Sequence, residues 1–403
     1  MKVTDEIDVL IVGAGLVGLT LVNALRGSRL SVRLIDAQNE PKLAKTRPVS
    51  RQGAALIAGV SPRVSAINLA SEVLLNRLGA WPKEGARQCL YRQMSVWDSQ
   101  GTASIQFDAS LTAADHLGTI IENDQLIQAL LERAKDVEEA QMTFGCSVEA
   151  IQRTATGYQV RLPSGEEICC RLLVGADGGA SIVRELTAVR TVEWSYQQAA
   201  LVTTIETQLP HEGVARQCFT PIGALAFLPL ANPNHCSVVW SSTSTADLLA
   251  LDDVQLCRRL TQGSESILGE VVAVDQRFSF PLRQRHALRY VQSGLALIGD
   301  AAHTIHPLAG QGANLGFADA QALAMVLQQC RFSGQSCGDL AVLRRYEQAR
   351  RPANLAMTAV MEGLKRIFDT SDPGVNWLRN LGLSLLNRQT RLKAMVAKLA
   401  AGV

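Results

Sequence analysis

Three clusters of glycines and acids in this sequence have the types and spacing to do chemistry. Gly13-Ala14-Gly15-Leu16-Val17-Gly18 follows an apolar run and opens a helix-forming one. Gly13 permits a tight turn, Gly15 leaves the backbone open to a pyrophosphate, and Gly18 lets helix and strand pack closely. Phosphate oxygens then meet free N–H groups at the positive end of the helix. Asp36, 18 residues past Gly18, closes the next apolar run. A carboxylate there accepts hydrogen bonds from an adenosine ribose and disfavours a 2′-phosphate. The second cluster, Val174-Gly175-Ala176-Asp177-Gly178-Gly179, again sets a Gly/Asp turn after an apolar run. Asp177 serves either a ligand or the cap of a helix over 180–186. The third is Gly299-Asp300-Ala301-Ala302-His303, followed by Gly310-Gln311-Gly312-Ala313-Asn314. Asp300 can hold a polyol chain, and a helix opening near Gly312 points its positive end at an anion such as a reduced flavin.

Hydrophobic periodicity supplies the elements that position these clusters. Strands over 7–12 and 31–36 flank a helix over 16–27, a βαβ opening that implies a parallel sheet. Residues 38–62 read as a mobile loop, 68–78 and 123–137 as helices, and 91–107 as short strands. The segment 142–176 reads as three strands, two of them joined at Pro163-Ser164-Gly165. Runs at 199–207, 214–220, 224–230 and 236–242 predict an antiparallel sheet. A single helix is expected over 246–269, strand over 271–283 and 295–298, and helix from Gly312 onward. Residues 340–403 read as helical with a break at Asp372-Pro373-Gly374.

With 403 residues, 47% of them hydrophobic and 19% charged, the chain has material for roughly two or three domains. A net charge of +2 argues against nucleic acid as a partner. Nine cysteines without CxxC or ligand-like spacing read as reduced thiols of a cytoplasmic protein, with no metal centre. Asp5, Glu6 and Asp8 stand where a signal peptide needs basic residues. The apolar run 9–25 carries spaced glycines and reads as strand into helix, not as a membrane span.

In this order and spacing, the three clusters resemble the flavin-dependent aromatic hydroxylases of the p-hydroxybenzoate hydroxylase fold. Arg63-Val64-Ser65-Ala66-Ile67-Asn68, Ile121-Glu122-Asn123 and the run Gly299 to Gly312 are similar to the ubiquinone-biosynthesis branch of that group. Val214-Ala215-Arg216-Gln217 and Leu225 to Leu230 most resemble its bacterial ring-C5 hydroxylase. Phe280 to Ala287 is shared with the sibling hydroxylases.

The resemblance implies an α/β fold: a Rossmann-like FAD-binding domain (1–88, 111–190 and 284–340), an inserted β-sheet substrate domain (89–110 and 191–283) and a C-terminal helical segment (341–403). It implies FAD at Gly13, Gly15, Gly18 and Asp36, with Arg63 near the pyrophosphate, Asn123 facing the cofactor and Asp300 on the ribityl chain. Asp177 counts among the cofactor residues, and Gly310, Gln311, Gly312, Ala313 and Asn314 line the isoalloxazine. NAD(P)H visits transiently as reductant and O2 is the co-substrate. A flavin C4a-hydroperoxide then hydroxylates a polyprenylated phenol. Pro307 would present its backbone carbonyl near C4a. His303 is either an acid/base group or a structural hydrogen-bonding residue, and His306 stands no differently. Alternatives are hydroxylation at another ring position or of an unrelated small aromatic, and a non-catalytic FAD-bound assembly subunit.

From Pro373 onward there is no acid, and Arg379, Arg388, Arg391, Lys393 and Lys398 are basic. With Leu385, Leu392, Met395, Val396 and Leu399 they predict either a helix docked on the FAD domain or a peripheral contact. That contact would be with the inner face of the cytoplasmic membrane, or with other ubiquinone-biosynthesis proteins there.

Overall fold

The computed structural model describes residues 6–41, 61, 63–82, 87–101, 104–111, 114–305, 310, 312–332, 334–369 and a few positions between 389 and 402. The chain opens with β1 (Ile7–Val12), α1 (Leu16–Ala24), β2 (Val32–Asp36), β3 (Val64–Asn68) and α2 (Leu69–Arg77). Next come β4 (Gln88–Tyr91), β5 (Gln93–Asp98), β6 (Ser104–Asp108), β7 (Gly118–Glu122) and α3 (Asn123–Ala134). Then follow β8 (Ala140–Phe144), β9 (Ala150–Arg153), β10 (Tyr158–Arg161), β11 (Glu167–Gly175) and α4 (Ile182–Leu186). The middle holds β12 (Thr191–Thr207), β13 (Val214–Thr220), β14 (Gly223–Pro229), β15 (His235–Ser242), α5 (Thr245–Ala250) and α6 (Asp253–Gly263). The rest is β16 (Val271–Val274), β17 (Phe278–Ala287), β18 (Val291–Gln292), β19 (Leu295–Leu297), β20 (His303–Thr304), α7 (Gly312–Phe332) and α8 (Leu340–Asp369).

Strands β19, β11, β1, β2 and β8 lie side by side and parallel. The sheet is covered on both faces, which is why β1 is apolar at consecutive positions: Val9, Leu10 and Ile11 are all fully buried, in one core with α1, α3, α7 and the β10–β11 hairpin. Helix α1 is clamped against α7, and a Cβ on Gly316 of α7 would lie 2.4 Å from the Val17 side chain. Further along, α8 is tied to the same sheet by the Tyr346 hydroxyl, which donates to the Leu297 carbonyl at 2.8 Å. A three-stranded antiparallel sheet, β3-β7-β4, stands beside this body.

The second large sheet runs β20-β17-β12-β15-β14-β13-β5-β6. Leu201, Ile205, Leu225, Phe227, Val238 and Trp240 face α5 and α6 on one side of it. The alternate residues face the first body. Its pairings are antiparallel except β5 with β13, which run parallel. Strand β12 starts eight residues before the expected 199, bulging between Ser195 and Ala199 where Gln197 takes φ +53°.

Three expectations about elements are corrected. The helix expected over 246–269 is two helices, because Asp252 caps α6 by accepting from the Gln255 N–H at 2.7 Å while the Gln255 side chain returns to the Asp252 N–H. The segment 142–176 holds four strands, and β8 departs to pair with β2. The first helix stops at Ala24, ahead of Gly27 at φ +71°. Most of the expected loop 38–62 and the break at 372–374 lie outside the described residues. All nine cysteines are free thiols.

Candidate functional site

The first glycine cluster sits at the carboxyl end of β1, and its three glycines have different physical reasons. Gly13 takes φ +111°, and a Cβ on it would lie 2.4 Å from the Ala176 carbonyl oxygen. A Cβ on Gly18 would lie 1.9 Å from the Gly13 carbonyl oxygen. The protein itself therefore requires glycine at both positions. Gly15 has ordinary φ and nothing within 4 Å of where a Cβ would stand. Nothing in the protein asks for glycine there, and the space lies at the uncapped, acid-free N-terminus of α1. That is a cradle for an anionic group. Asp36 accepts from the Ala14 N–H at 2.6 Å and the Gln38 N–H at 2.7 Å. Its first task is thus to brace the glycine turn, and lone pairs on the same oxygens remain for a ribose.

The sequence-predicted residues of the other half converge. Arg63, Asn123, Asp300, Gly310, Gly312 and Ala313 line one cavity of about 440 Å³. Asn123 opens α3 and accepts the Ser65 hydroxyl at 2.7 Å, which fixes its amide beside β3. Asp300 sits in a single 3₁₀ turn after β19. Its residue surface is open to the groove, yet so much protein surrounds the carboxyl that desolvation raises its pKa. Both statements hold because the open side is the side a ligand would occupy. Gly310 takes φ +61° with Ala66 beside it, and Gly312 begins α7 next to the Asp300 carboxylate. The far wall is the inner face of the antiparallel sheet, with Val202, Ala226, Leu228, Val239 and Leu282.

Other predicted residues stand elsewhere. Asp177 does not line this cavity; it accepts the Val183 N–H at 3.1 Å at the start of α4, and its Oδ1 is enclosed without a hydrogen-bond partner. Burial pushes its carboxyl up. The Asn314 carboxamide turns away from the cavity and acts as an extra peptide for β3: it donates to the Ala66 carbonyl at 2.8 Å and accepts the Asn68 N–H at 3.0 Å. The side chain is thus taken up by a structural bond to β3. Gln311, Pro307 and His306 lie outside the described residues.

His303 does not line the cavity either. Its ring is buried and its Nε2 meets Asp319 Oδ2 at 2.5 Å. The same carboxylate accepts the Gly299 N–H at 3.1 Å, Arg350 Nε at 2.8 Å and Asn354 Nδ2 at 3.0 Å. Burial opposes the charge on Asp319, but His303 and Arg350 outweigh it and hold the carboxyl below its usual range. The network lies behind the Asp300 turn and holds it in place; His303 takes the structural alternative. His286, the strand partner of His303, also makes a tilted ring contact with Tyr290, and desolvation together with nearby His303 and Arg351 lowers its pKa to about 4. Sequence reasoning missed Asp319, although it is the lone acid in the apolar run that became α7.

The chain matches the family described as FAD binding domain over residues 6–361. It is 36% identical to the 3-demethoxyubiquinol 3-hydroxylase of Escherichia coli, covering 98% of both chains. It is also 36% identical to the ubiquinone hydroxylase UbiL of Rhodospirillum rubrum, covering 98% of this chain and 89% of that one. The human mitochondrial ubiquinone biosynthesis monooxygenase COQ6 is 32% identical, over 99% of this chain and 93% of its own. In fold, it resembles p-nitrophenol 4-monooxygenase of Pseudomonas putida, with a TM-score of 0.77 at 18% identity over 98% and 99% of the two chains.

Proposed function

This chain belongs to the family of FAD-dependent ubiquinone-biosynthesis hydroxylases, and we propose that it hydroxylates a polyprenylated phenol at ring C5. It is an FAD-dependent monooxygenase. When bound, FAD would supply the redox chemistry of hydroxylation, with NAD(P)H as the source of electrons and O2 as co-substrate. The observation that carries the substrate reading is one cavity with two kinds of wall. Asp300, Gly310 and Gly312 stand on one side and an apolar sheet face stands on the other.

The residues fit the cofactor. Gly15 leaves the space a pyrophosphate needs, Asp36 has acceptor capacity for the ribose, and Arg63 stands exposed at the cavity edge. Asp300 would hold the ribityl hydroxyls, Asn123 would face the ring system, and the N-terminus of α7 would stabilise negative charge at its far edge. Asp177 would contribute through the turn it caps, and Pro307 and Gln311 through the run before α7. The sheet face excludes water from the reacting ring. The proposed division is the one set out from the sequence: a discontinuous FAD part (1–88, 111–190 and 284–340) and an inserted substrate part (89–110 and 191–283).

Support for C5 comes from Val214 to Gln217 and Leu225 to Leu230, which line or flank the cavity. The name of the Escherichia coli relative favours a second reading, attack on a demethoxyquinol at a neighbouring ring carbon. Lipid mass spectrometry of a deletion strain tests both. Accumulation of a quinone precursor lacking the C5 hydroxyl supports the first reading, and accumulation of a demethoxyquinone replaces it with the second. An unchanged quinone profile overturns both.

We also place the enzyme against a lipid surface through its basic tail. No helix among the described residues is long and apolar enough to cross a membrane. Met395 and Lys398 are exposed, while Ala401 is buried and Gly402 stands against Ala70. Basic residues near anionic headgroups contribute about 1 kcal/mol each. Co-sedimentation with anionic vesicles tests this: a folded chain ending at Asp372 should bind less than the full chain, and equal binding refutes the tail as anchor.

A further inference from the structure

Strand registers place the side chains of the cavity-facing sheet surface in rungs. One rung runs Val96, Gln217, Ala226, Val239, Val202 and Phe278. Five of these are apolar. Gln217 is 6% exposed and lines the cavity, and its carboxamide has no hydrogen-bond partner among the described residues. Alternation along β13 fixes its direction. Arg216 points to the other face, where its guanidinium donates to the His211 and Val214 carbonyls, while Gln217 shares the face of Ala215 and of the cavity-lining Ala226. One rung along, the Ser237 hydroxyl is also buried on the cavity wall without a partner.

A lone amide in an otherwise apolar rung, with its polar atoms open to the cavity and held by no protein group, is not accounted for by packing. Methionine, of similar length and volume, would fill the place. A carboxamide offers one acceptor oxygen and one donor nitrogen side by side, and a phenol hydroxyl is both donor and acceptor. We propose that Gln217 binds the hydroxyl of the substrate ring, and so sets which ring carbon faces the cofactor. This deepens the phenol reading and rests on it. The ring would lie across Ala226, the neighbour of Gln217 in the rung, with its oxygen at Gln217. The amide orients the ring and takes no proton.

The test uses the FAD-loaded protein and two probes, 2-butylphenol and butylbenzene, titrated by the perturbation of flavin absorbance and fluorescence. Wild type should bind the phenol about tenfold more tightly, the size of one neutral hydrogen bond. Gln217→Met should erase that gap by weakening the phenol alone. It should also leave the melting temperature of the substrate-free protein unchanged, since the amide has no protein partner to lose. Gln217→Asn, which retracts the amide by one methylene, should fold normally and lose the same preference. The proposal is overturned if wild type does not distinguish the probes. It is equally overturned if the gap survives in both variants, or if the variants melt lower or fail to fold, which would make the amide structural. Failure of the parent reading is separate: a protein that leaves quinone synthesis unaffected can still show, or lack, the probe gap at Gln217.

Discussion

The parallel sheet around β1 and the antiparallel sheet around β12 meet at one cavity, but they build their walls differently. On the parallel side the working parts are backbone: the turn at Gly13, the open cradle at Gly15, the turn at Gly299 and the first turn of α7. Gly13 and Gly299 are demanded by φ, Gly15 only by the open space it leaves, and side chains such as Asp36 and Asp319 hold the backbone in place. On the antiparallel side the backbone is an ordinary ladder, and the wall is whatever side chains the pleat turns inward. A backbone-built site tolerates few substitutions and binds what all its relatives bind. A side-chain wall can be respecified one residue at a time, which suits the part of the enzyme that must recognise a substrate.

The contrast can be broken most directly at Gly15. Valine there should abolish FAD retention, seen as colourless purified protein, while the melting temperature of the cofactor-free chain stays close to wild type because no protein atom opposes the side chain. Loss of fold would show that Gly15, like Gly18, serves the protein and not the ligand.

Asp319→Ala should destabilise the chain by about 3–5 kcal/mol in urea unfolding, because it leaves Arg350 and His303 without their shared carboxylate. A change below about 1 kcal/mol would mean that the network does not brace the Asp300 turn.

The junction of the two regions is sensitive to acid. His286 on β17 pairs with His303 on β20, and its folded pKa of about 4 lies below the ordinary 6.5. Unfolded chain takes up a proton that the native state refuses, so stability is full above pH 6.5 and falls as the pH drops towards 4. The loss amounts to roughly 3 kcal/mol at ~1.4 kcal/mol per pKa unit. His286→Phe should flatten this part of the pH–stability curve, and an unaltered slope would assign the acid sensitivity to other groups.

The smallest effect is expected at Asp300. Alanine should weaken FAD binding by about 1.5–3 kcal/mol through lost charge-assisted hydrogen bonds, with little change in cofactor-free stability because the carboxylate faces the groove. An unchanged flavin dissociation constant would remove Asp300 from the site.

Sequence alone determined the parts whose physics is local. Gly13 to Gly18 with Asp36, the strand before Asp300 and the helix from Gly312 are legible because turns, caps and helix ends depend on neighbours a few residues away. The split at Asp252 was legible too, since Asp252 and Gln255 form a capping box on adjacent turns, but the apolar periodicity across it masked the signal. Tertiary structure decided what local order cannot carry. His303 became structural because Asp319 lies 16 residues on and Arg350 a further 31, brought together only when α7 packs on α8. Asn314 turned away from the cavity because β3, 246 residues earlier in the chain, lacked a hydrogen-bonding neighbour at that edge. Gln217 acquired its meaning from register: a pairing one residue out would have turned its amide towards α5 and α6.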